Sequence, residues 1–322
     1  MAISDIAYIA FNHSDMAEAE RFYSDFGLAV AYRQDGEIGF RPPSSQDGYC
    51  YIARHDSQPG LIAIGMRCDS MDDLKAVAQF PEASPVESIP RPGGGWRVSL
   101  RSPDGIPFEV TYGVPYSKAK PTRAPLVLND GSHSPRLGEY QRAPLEPASI
   151  MRLGHVALLT GNFKENAAWL QSRLGLKASD ILYDGSPDNQ IGGFFHCTSQ
   201  KEWTDHHTLA LFPADAASMH HYSFEILDID AQFLGNKWML AQGWKPLWGV
   251  GRHILGSQIF DYWIDPNGNI AEHFTDGDVV RSDVETGYHQ VSDDALAQWG
   301  PPISVADFIG PTDKASSKPV TS

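Results

Sequence analysis

The sequence predicts an α+β fold in which four β-α-β-β-β modules pair into two similar halves. In two stretches a Pro-Asx-Gly turn is followed by a strand that contains a glutamate, Glu109 in the first stretch and Glu272 in the second. Upstream of each, an apolar helix end stops at a glycine, Gly27 and Gly175. Since the same signals recur in the same order, the 322-residue chain is predicted to be a tandem duplication.

The first half contains two successive modules. Residues 6–11 form an apolar strand, and the helix that follows begins at the capping residue Asp15. The second module begins with the apolar residues 61–66 and contains a helix near residues 71–80. Together they define a first domain at residues 1–115, to which no catalytic role is assigned.

A segment interrupted by six prolines separates the two halves and is predicted to be a linker. Residues 153–158 and 220–226 then open the third and fourth modules, each followed by a helix and further strands. Beyond Arg281 the sequence is polar with scattered apolar residues. The predicted segments are therefore a linker at 116–149, a second domain at 150–280 and a tail at 281–322.

The composition is that of a globular protein, with 42% hydrophobic residues and a formal net charge of −15. Because a phosphate backbone would repel an acidic surface, no nucleic-acid partner is expected. No stretch approaches the ~20 apolar residues of a membrane span, and the N-terminus lacks signal-peptide features. Cys50, Cys68 and Cys197 fit no zinc spacing and are odd in number, which favours a reducing cytoplasm.

Histidines are concentrated in the second half, where eight of the twelve fall between His155 and His273. His155 and His221 lie in the opening strands of the third and fourth modules, and Glu272 lies in the closing strand of the fourth. Two imidazoles and one carboxylate that leave open positions are the ligands of non-haem Fe(II). The predicted metal is therefore Fe(II), although the same ligands also suit Mn(II).

A single histidine in an apolar strand is more often a core residue than a ligand, so position decides the interpretation. Aligning the halves places Tyr8 opposite His155, about Ile62 opposite His221, and Glu109 opposite Glu272. The first half is therefore expected to bind no metal. In the doublets His206-His207 and His220-His221, strand alternation should let only one ring of each enter a common cavity, with its neighbour on the outer face.

Residues from about 3 to 280 resemble the type I extradiol ring-cleavage dioxygenases of the vicinal oxygen chelate superfamily. The motifs that carry the resemblance are Gly154-His155-Val156, Phe194-Phe195-His196-Cys197, His206-His207-Thr208-Leu209, His220-His221-Tyr222, Gly251-Arg252-His253, and Tyr262 followed ten residues later by Glu272.

The resemblance implies that the second domain cleaves a catechol ring next to its diol, inserting both atoms of O2 to give a hydroxymuconate-semialdehyde-type product. It identifies His155, His221 and Glu272 as iron ligands and His207 as the acid–base residue. An imidazole with an ordinary pKa near 6.5 suits that proton transfer. Catechol and O2 are the expected partners, and a homo-oligomer is the expected assembly.

The resemblance also implies that His253 and Tyr262 hydrogen-bond the substrate hydroxyls and that Phe194 contacts the ring. Trp248 is a second aromatic candidate for that contact, and His253 is expected on a glycine-containing loop. Where family members often carry an Asn-Asp pair, this chain has Leu255-Gly256-Ser257, so the ring substituents are left open.

Two alternative functions use the same modules. A glyoxalase-like isomerase or thiol transferase would bind Zn, Ni or Mn and would not need His207, His253 and Tyr262. A binding protein for a flat aromatic ligand would need no metal.

Overall fold

A computed structural model of the chain describes residues 3–44, 48–114, 120, 122–198 and 202–310. Its first sheet contains β1 (Ile3–His13), β2 (Ala29–Gln34), β3 (Glu37–Arg41), β4 (Tyr51–His55), β5 (Gly60–Cys68), β6 (Glu87–Ser88), β7 (Trp96–Arg101) and β8 (Pro107–Tyr112). The remaining strands are β9 (Ile150–Thr160), β10 (Lys177–Tyr183), β11 (Gln190–His196), β12 (Thr204–Asp205), β13 (Leu209–Pro213), β14 (Ser218–Ile226), β15 (Lys245–His253), β16 (Ile259–Ile264), β17 (Ile270–Thr275), β18 (Val279–Val280), β19 (Gly287–Gln290) and β20 (Ala297–Trp299). The helices are α1 (Met16–Phe26), α2 (Met71–Val77), α3 (Phe163–Trp169), α4 (Ile229–Ala241) and α5 (Val305–Ile309).

The strand order confirms the predicted modules. The first sheet runs β2-β3-β4-β1-β5-β8-β7-β6, so two modules meet where β1 and β5 pair antiparallel. Within each module the first and last strands pair in parallel, as β1 does with β4 and β5 with β8. The second large sheet repeats this arrangement around β9 and β14. Both large sheets are mixed, as the predicted α+β class requires.

Local sequence signals explain where the helices begin and end. Asp15 caps α1 by accepting a hydrogen bond from the backbone N–H of Glu18, and Gly27 ends it at φ 116°. Asn162 caps α3 in the same way, and a π-helical turn, Leu170–Leu174, extends that helix to Gly175. Glycine recurs at these helix ends because it adopts a left-handed backbone conformation at little cost in free energy.

Residues 281–310, predicted as part of a tail, add regular structure to the second sheet. Strand β19 pairs in parallel with β10 at one edge, and β20 pairs antiparallel with β15 at the other. Helix α5 is capped by Ser304, whose side chain accepts from the Asp307 N–H. The segment is polar because its strands lie at sheet edges. Its strands were therefore not predicted, since the prediction relied on apolar runs. Residues 311–322 lie outside the described residues.

The two halves are joined by buried polar contacts. The Tyr23 hydroxyl lies 2.7 Å from the Tyr222 hydroxyl and donates to Asp265 at 2.9 Å. His273, next to Glu272 on β17, points the opposite way and donates from Nε2 to the Phe26 carbonyl at 2.8 Å. The first half therefore contacts the back of the strand that carries the glutamate.

A buried carboxyl next to this contact makes folding depend on pH. Burial raises the pKa of Asp261 to about 8, although Trp263 and Asn236 donate hydrogen bonds to it. The unfolded carboxyl titrates near its ordinary value of about 4, so between about pH 4 and pH 8 the unfolded state binds fewer protons than the folded state. The free energy of unfolding should therefore fall as pH rises, by up to ~1.4 kcal/mol per pH unit.

We expect Asp261→Asn to remove this decrease in the free energy of unfolding with rising pH, because an amide does not titrate. Urea unfolding of both proteins from pH 5 to pH 8 measures the effect as a difference in slope. Parallel slopes would contradict the assignment.

None of the described helices combines the length and apolar character needed to cross a membrane. Cys50, Cys68 and Cys197 are all buried thiols.

Candidate metal centre

The predicted ligands lie on three adjacent strands of the second sheet, in the order β9-β14-β17. His155 on β9 is registered with Ser223 on β14, and Ser223 is registered with Glu272 on β17. His155 Nε2 lies 3.1 Å from Glu272 Oε2, His221 Nε2 lies 3.5 Å from the same oxygen, and the two imidazole nitrogens are 3.3 Å apart. The structure therefore brings the three predicted side chains to one point.

These separations fit a metal ion bound on one face. Cis ligands at bonds of about 2.1 Å lie about 3.0 Å apart, whereas trans ligands would lie about 4.2 Å apart. The observed distances of 3.1, 3.3 and 3.5 Å all lie nearer the cis than the trans value, so an ion held there would keep its opposite face for other ligands. Both Glu272 oxygens are buried without a hydrogen-bond donor of good geometry in the described part of the chain. A cation would satisfy them.

The protonation of these residues also fits a cation. Burial would raise the pKa of Glu272, but His155 and His253 hold it below its usual value, so the carboxylate is ionised. Burial, followed by the neighbouring imidazoles, holds the pKa of His221 well below 6.5. A neutral imidazole and an ionised carboxylate are the forms that bind metals.

Gly154 is required beside His155, the first predicted ligand. A side chain there would place its Cβ 2.4 Å from the Phe274 ring. That ring packs against His155, with ring centroids 5.2 Å apart. The glycine in the Gly154-His155-Val156 motif therefore lets an aromatic ring hold the ligand in place.

His220 fixes the orientation of His221, the second predicted ligand. Its Nδ1 lies 2.7 Å from Nδ1 of His221, and its Nε2 donates to the Phe308 carbonyl at 2.8 Å. Since a carbonyl only accepts, neutral His220 has Nδ1 as its acceptor, and His221 must donate from Nδ1. This leaves Nε2 of His221 unprotonated and directed at Glu272, as a ligand requires.

The predicted position of His220 on the outer face was wrong. The register between β14 and β9 shifts between Met219 and His221, so His220 lies at a β-bulge and simple alternation fails. Its ring packs against Phe212 and Phe308, which line the same cavity as His221.

We expect His220→Phe to weaken metal binding by roughly 10- to 100-fold, because the variant keeps a ring but loses the acceptor for His221. Titration of the metal-free protein with Fe(II) without air, followed by calorimetry, measures this affinity. Affinity equal to that of the wild type would show that His220 only fills space.

His207 lies beside the triad on the β11 side, with its ring centroid 4.3 Å from that of His155 and 4.9 Å from Phe194. Its Nδ1 is 3.0 Å from Nδ1 of His206, which in turn lies 2.8 Å from the Asp180 carboxylate through Nε2. Burial, and then the surrounding imidazoles, hold the pKa of His207 well below 6.5. The expectation of an ordinary pKa was therefore wrong, and His207 is neutral at pH 7.

His253 and Tyr262 lie on the other side of the triad. His253 donates from Nδ1 to the Leu296 carbonyl at 2.8 Å, and its Nε2 lies 2.9 Å from the Tyr262 hydroxyl. Burial lowers the pKa of His253 and raises that of Tyr262 well above 10, so both are neutral. Tyr262 therefore donates to His253, and the pair presents one hydroxyl and one imidazole edge to the cavity.

Two details of this region differ from the sequence-based expectations. His253 ends strand β15 rather than lying in a loop. The strand continues this far because Gly251 has no side chain, and the Phe260 ring lies 2.4 Å from where a Cβ of residue 251 would be.

Trp248 does not line the cavity. It stacks behind Tyr262 at 5.8 Å between ring centroids and donates to the Pro301 carbonyl, so it supports Tyr262. Phe194 does line the cavity.

The first half has a different arrangement at the equivalent position. Ala10 on β1 and Ala157 on β9 are equivalent positions. Ala10 pairs with Ala63 on β5, and Ala157 pairs with His221 on β14. The counterpart of His221 is therefore Ala63, not the expected Ile62. Glu109 accepts a hydrogen bond from the Tyr8 hydroxyl and lies 2.9 Å from Arg97 Nη1. These partners satisfy the carboxylate that would otherwise face a metal.

Residues after position 287 close a cavity of about 390 Å³ over the centre. These residues were not predicted from the sequence to belong to the site. They include Val291, Leu296, Phe308 and Ile309. The Ser304-x-x-Asp307 capping pattern was the signal that could have revealed α5.

Two curated relatives match nearly the whole chain. Metapyrocatechase 2 of Cupriavidus necator is 28% identical over 94% of this chain and 90% of its own length. The manganese-dependent 2,3-dihydroxybiphenyl 1,2-dioxygenase of Geobacillus genomosp. 3 is 23% identical over 97% of each chain. No protein-family model matches.

Solved structures share the fold. The Mn(II)-bound glyoxalase of Novosphingobium aromaticivorans has a TM-score of 0.79 at 22% identity, over 96% of this chain and 94% of its own. Homoprotocatechuate 2,3-dioxygenase of Arthrobacter globiformis has a TM-score of 0.78 at 21% identity, over 97% and 92%. In sequence the chain is thus similar to a metapyrocatechase and a dihydroxybiphenyl dioxygenase, and in fold to a homoprotocatechuate 2,3-dioxygenase, which confirms the resemblance carried by its histidine motifs.

Proposed function

We propose that the protein is an extradiol dioxygenase that opens a substituted catechol ring beside its diol and inserts both atoms of O2. The observation that carries this proposal is the layout of the second sheet. The triad of His155, His221 and Glu272 lies on its central strands, with His207 on one side and the His253–Tyr262 pair on the other. A reaction between a diol and dioxygen needs groups that orient the diol, here the His253–Tyr262 pair. It also needs a group that transfers protons, here His207.

Fe(II) is the metal we propose for the triad, with Mn(II) as the alternative, because two histidines and one carboxylate suit both ions. When bound, the metal supplies Lewis-acid activation of the diol and electron exchange with dioxygen. The manganese-dependent relative supports testing both ions.

The His253–Tyr262 pair orients the diol. Tyr262 stays protonated because burial keeps its pKa well above 10, so when a catechol enters, the hydroxyl proton turns from His253 Nε2 to a catechol oxygen. This frees the unprotonated Nε2 of neutral His253 to accept from a catechol hydroxyl, since its Nδ1 is committed to Leu296. The pair therefore recognises two adjacent oxygens of opposite hydrogen-bonding character.

His207 moves the proton. As a neutral imidazole in a buried position, it takes up the proton that the diol releases and returns it to the oxygen being reduced. The hydrogen bond to His206, itself held by Asp180, keeps the ring oriented for both steps.

The test is to load the metal-free protein with Fe(II) without air, add a catechol and then admit oxygen. A yellow ring-opened product formed with one O2 consumed per catechol supports the proposal. Oxygen uptake without ring opening would contradict it. A parallel assay for thiol-adduct isomerisation addresses the glyoxalase alternative, because the Novosphingobium glyoxalase shares the fold.

A further inference from the structure

The cavity over the metal centre has walls whose chemistry differs from that of its floor. The floor carries the ligands, His207 and the His253–Tyr262 pair. The walls are aliphatic and aromatic side chains from the second sheet and from the segment after residue 287, among them Leu182, Ile191, Phe212, Leu255, Val291 and Ile309. Its volume of about 390 Å³ is in the range of sites that enclose most of a small molecule.

Two apolar clusters meet across this space at Ile309. One cluster joins Ile309 with Leu182, Phe194 and Phe212 on the β11 side. The other joins it with Tyr262, Phe308 and Leu296. A ring held by His253 and Tyr262 therefore has its carbon edge directed into walls that offer dispersion contacts and few hydrogen bonds.

Away from the metal centre at its floor, the cavity also lacks a counter-ion for an anionic group. Within the residues that the structure describes, no lysine or arginine lines it. His289 lines the cavity, but its Nε2 lies 2.9 Å from Asp180 Oδ1, so a charge there is already paired. Arg252, adjacent to His253, donates to the Ser257 carbonyl at 2.6 Å and to Asp276 at 2.7 Å. A buried carboxylate would stay uncompensated, at a large cost in free energy.

Resting on the proposed function, we propose that the substrate is a catechol whose ring substituent is uncharged and apolar, an alkyl or aryl group, and that carboxylated catechols are rejected. The substituent lies between the Leu182–Phe212 wall and the tail residues around Ile309.

Matched pairs of catechols test this directly, because the two members of each pair differ only in having a methyl group or a carboxylate at the same position. The pairs are 4-ethylcatechol with 3,4-dihydroxyphenylacetate, and 3-methylcatechol with 2,3-dihydroxybenzoate; 2,3-dihydroxybiphenyl tests the aryl group. We expect kcat/KM for the apolar member to exceed that of its carboxylated partner by at least ~10²-fold, since a hydrophobic pocket already discriminates about that much for weaker polarity differences. Dissociation constants measured without oxygen should show the same preference.

Equal or inverted preference within both pairs would overturn the substrate assignment while leaving the ring-cleavage proposal intact. Failure to cleave any of the five compounds with either Fe(II) or Mn(II) would instead defeat the proposed function. The two failures are therefore distinguishable.

A charge introduced at the wall supplies a second test. Ile191 lines the cavity from β11 and is half-buried, so an arginine there can reach both solvent and the cavity. Ile191→Arg is expected to reduce the discrimination within a pair by about 10-fold or more, whereas Ile191→Gln, polar but uncharged, should leave it unchanged. The same loss of discrimination in both variants would show that size, not charge, governs selection.

Discussion

In Glu272→Gln, metal binding and ring cleavage are expected to be lost together. Glu272 is the anionic member of the triad, and its side chain is fully buried 3.1 Å from His155 and 3.5 Å from His221. A neutral amide keeps the shape but removes the charge that holds a cation in a site of low dielectric. Since a bound metal contributes several kcal/mol to such reactions, kcat/KM should fall by more than about 10³-fold.

The duplicated scaffold supplies a matched control. Glu109 occupies the equivalent strand position in the first half, where Tyr8 and Arg97 are its partners. Glu109→Gln should therefore retain one metal per chain and ring cleavage, even if it lowers the midpoint of thermal unfolding. Metal analysis after dialysis compares the two variants. Metal retained by Glu272→Gln, or lost in Glu109→Gln, would show that the triad has been misassigned.

His207→Ala is expected to keep metal and substrate while turning over slowly. His207 contacts His155 but is not one of the three groups that meet at the centre. Its loss removes proton transfer, which typically contributes about 10² to 10⁴ in rate, so kcat should fall by that factor. KM and the dissociation constant of the catechol without oxygen should change little.

The control for this variant is His196→Gln. His196 is also buried in the second half, and its Nδ1 is 2.7 Å from the Ser179 hydroxyl, away from the cavity. This substitution should affect stability more than kcat. If His207→Ala lost its metal, the residue would be a fourth ligand and not the acid–base group.

The meeting of His155, His221 and Glu272 was predictable because their positions depend on local signals that repeat. Turns with Gly105 and Gly268 fix where β8 and β17 begin, and that registers Glu109 and Glu272 on equivalent strands. Helix caps at Asp15 and Asn162 are likewise local hydrogen bonds. Comparing the halves then separated His155 and His221 from the core histidines, with an error of one residue at Ala63 because bulges shift the β1–β5 register.

Other features could not be predicted because they arise from contacts distant in sequence. Trp248 was expected at the ring, yet its position behind Tyr262 depends on Pro301 and Phe308 far along the chain. His220 orients His221 only because α5 brings the Phe308 carbonyl within 2.8 Å. No periodicity in the sequence encodes either contact.

By itself, the sequence determined the four modules and the duplication and predicted which three side chains would meet, since all three follow from short-range turns, caps and strand alternation. Only the tertiary structure decided the protonation of His207, the closure of the cavity by the segment after residue 287 and the apolar character of its walls. Those properties depend on burial, and burial is set by which strands and helices pack together.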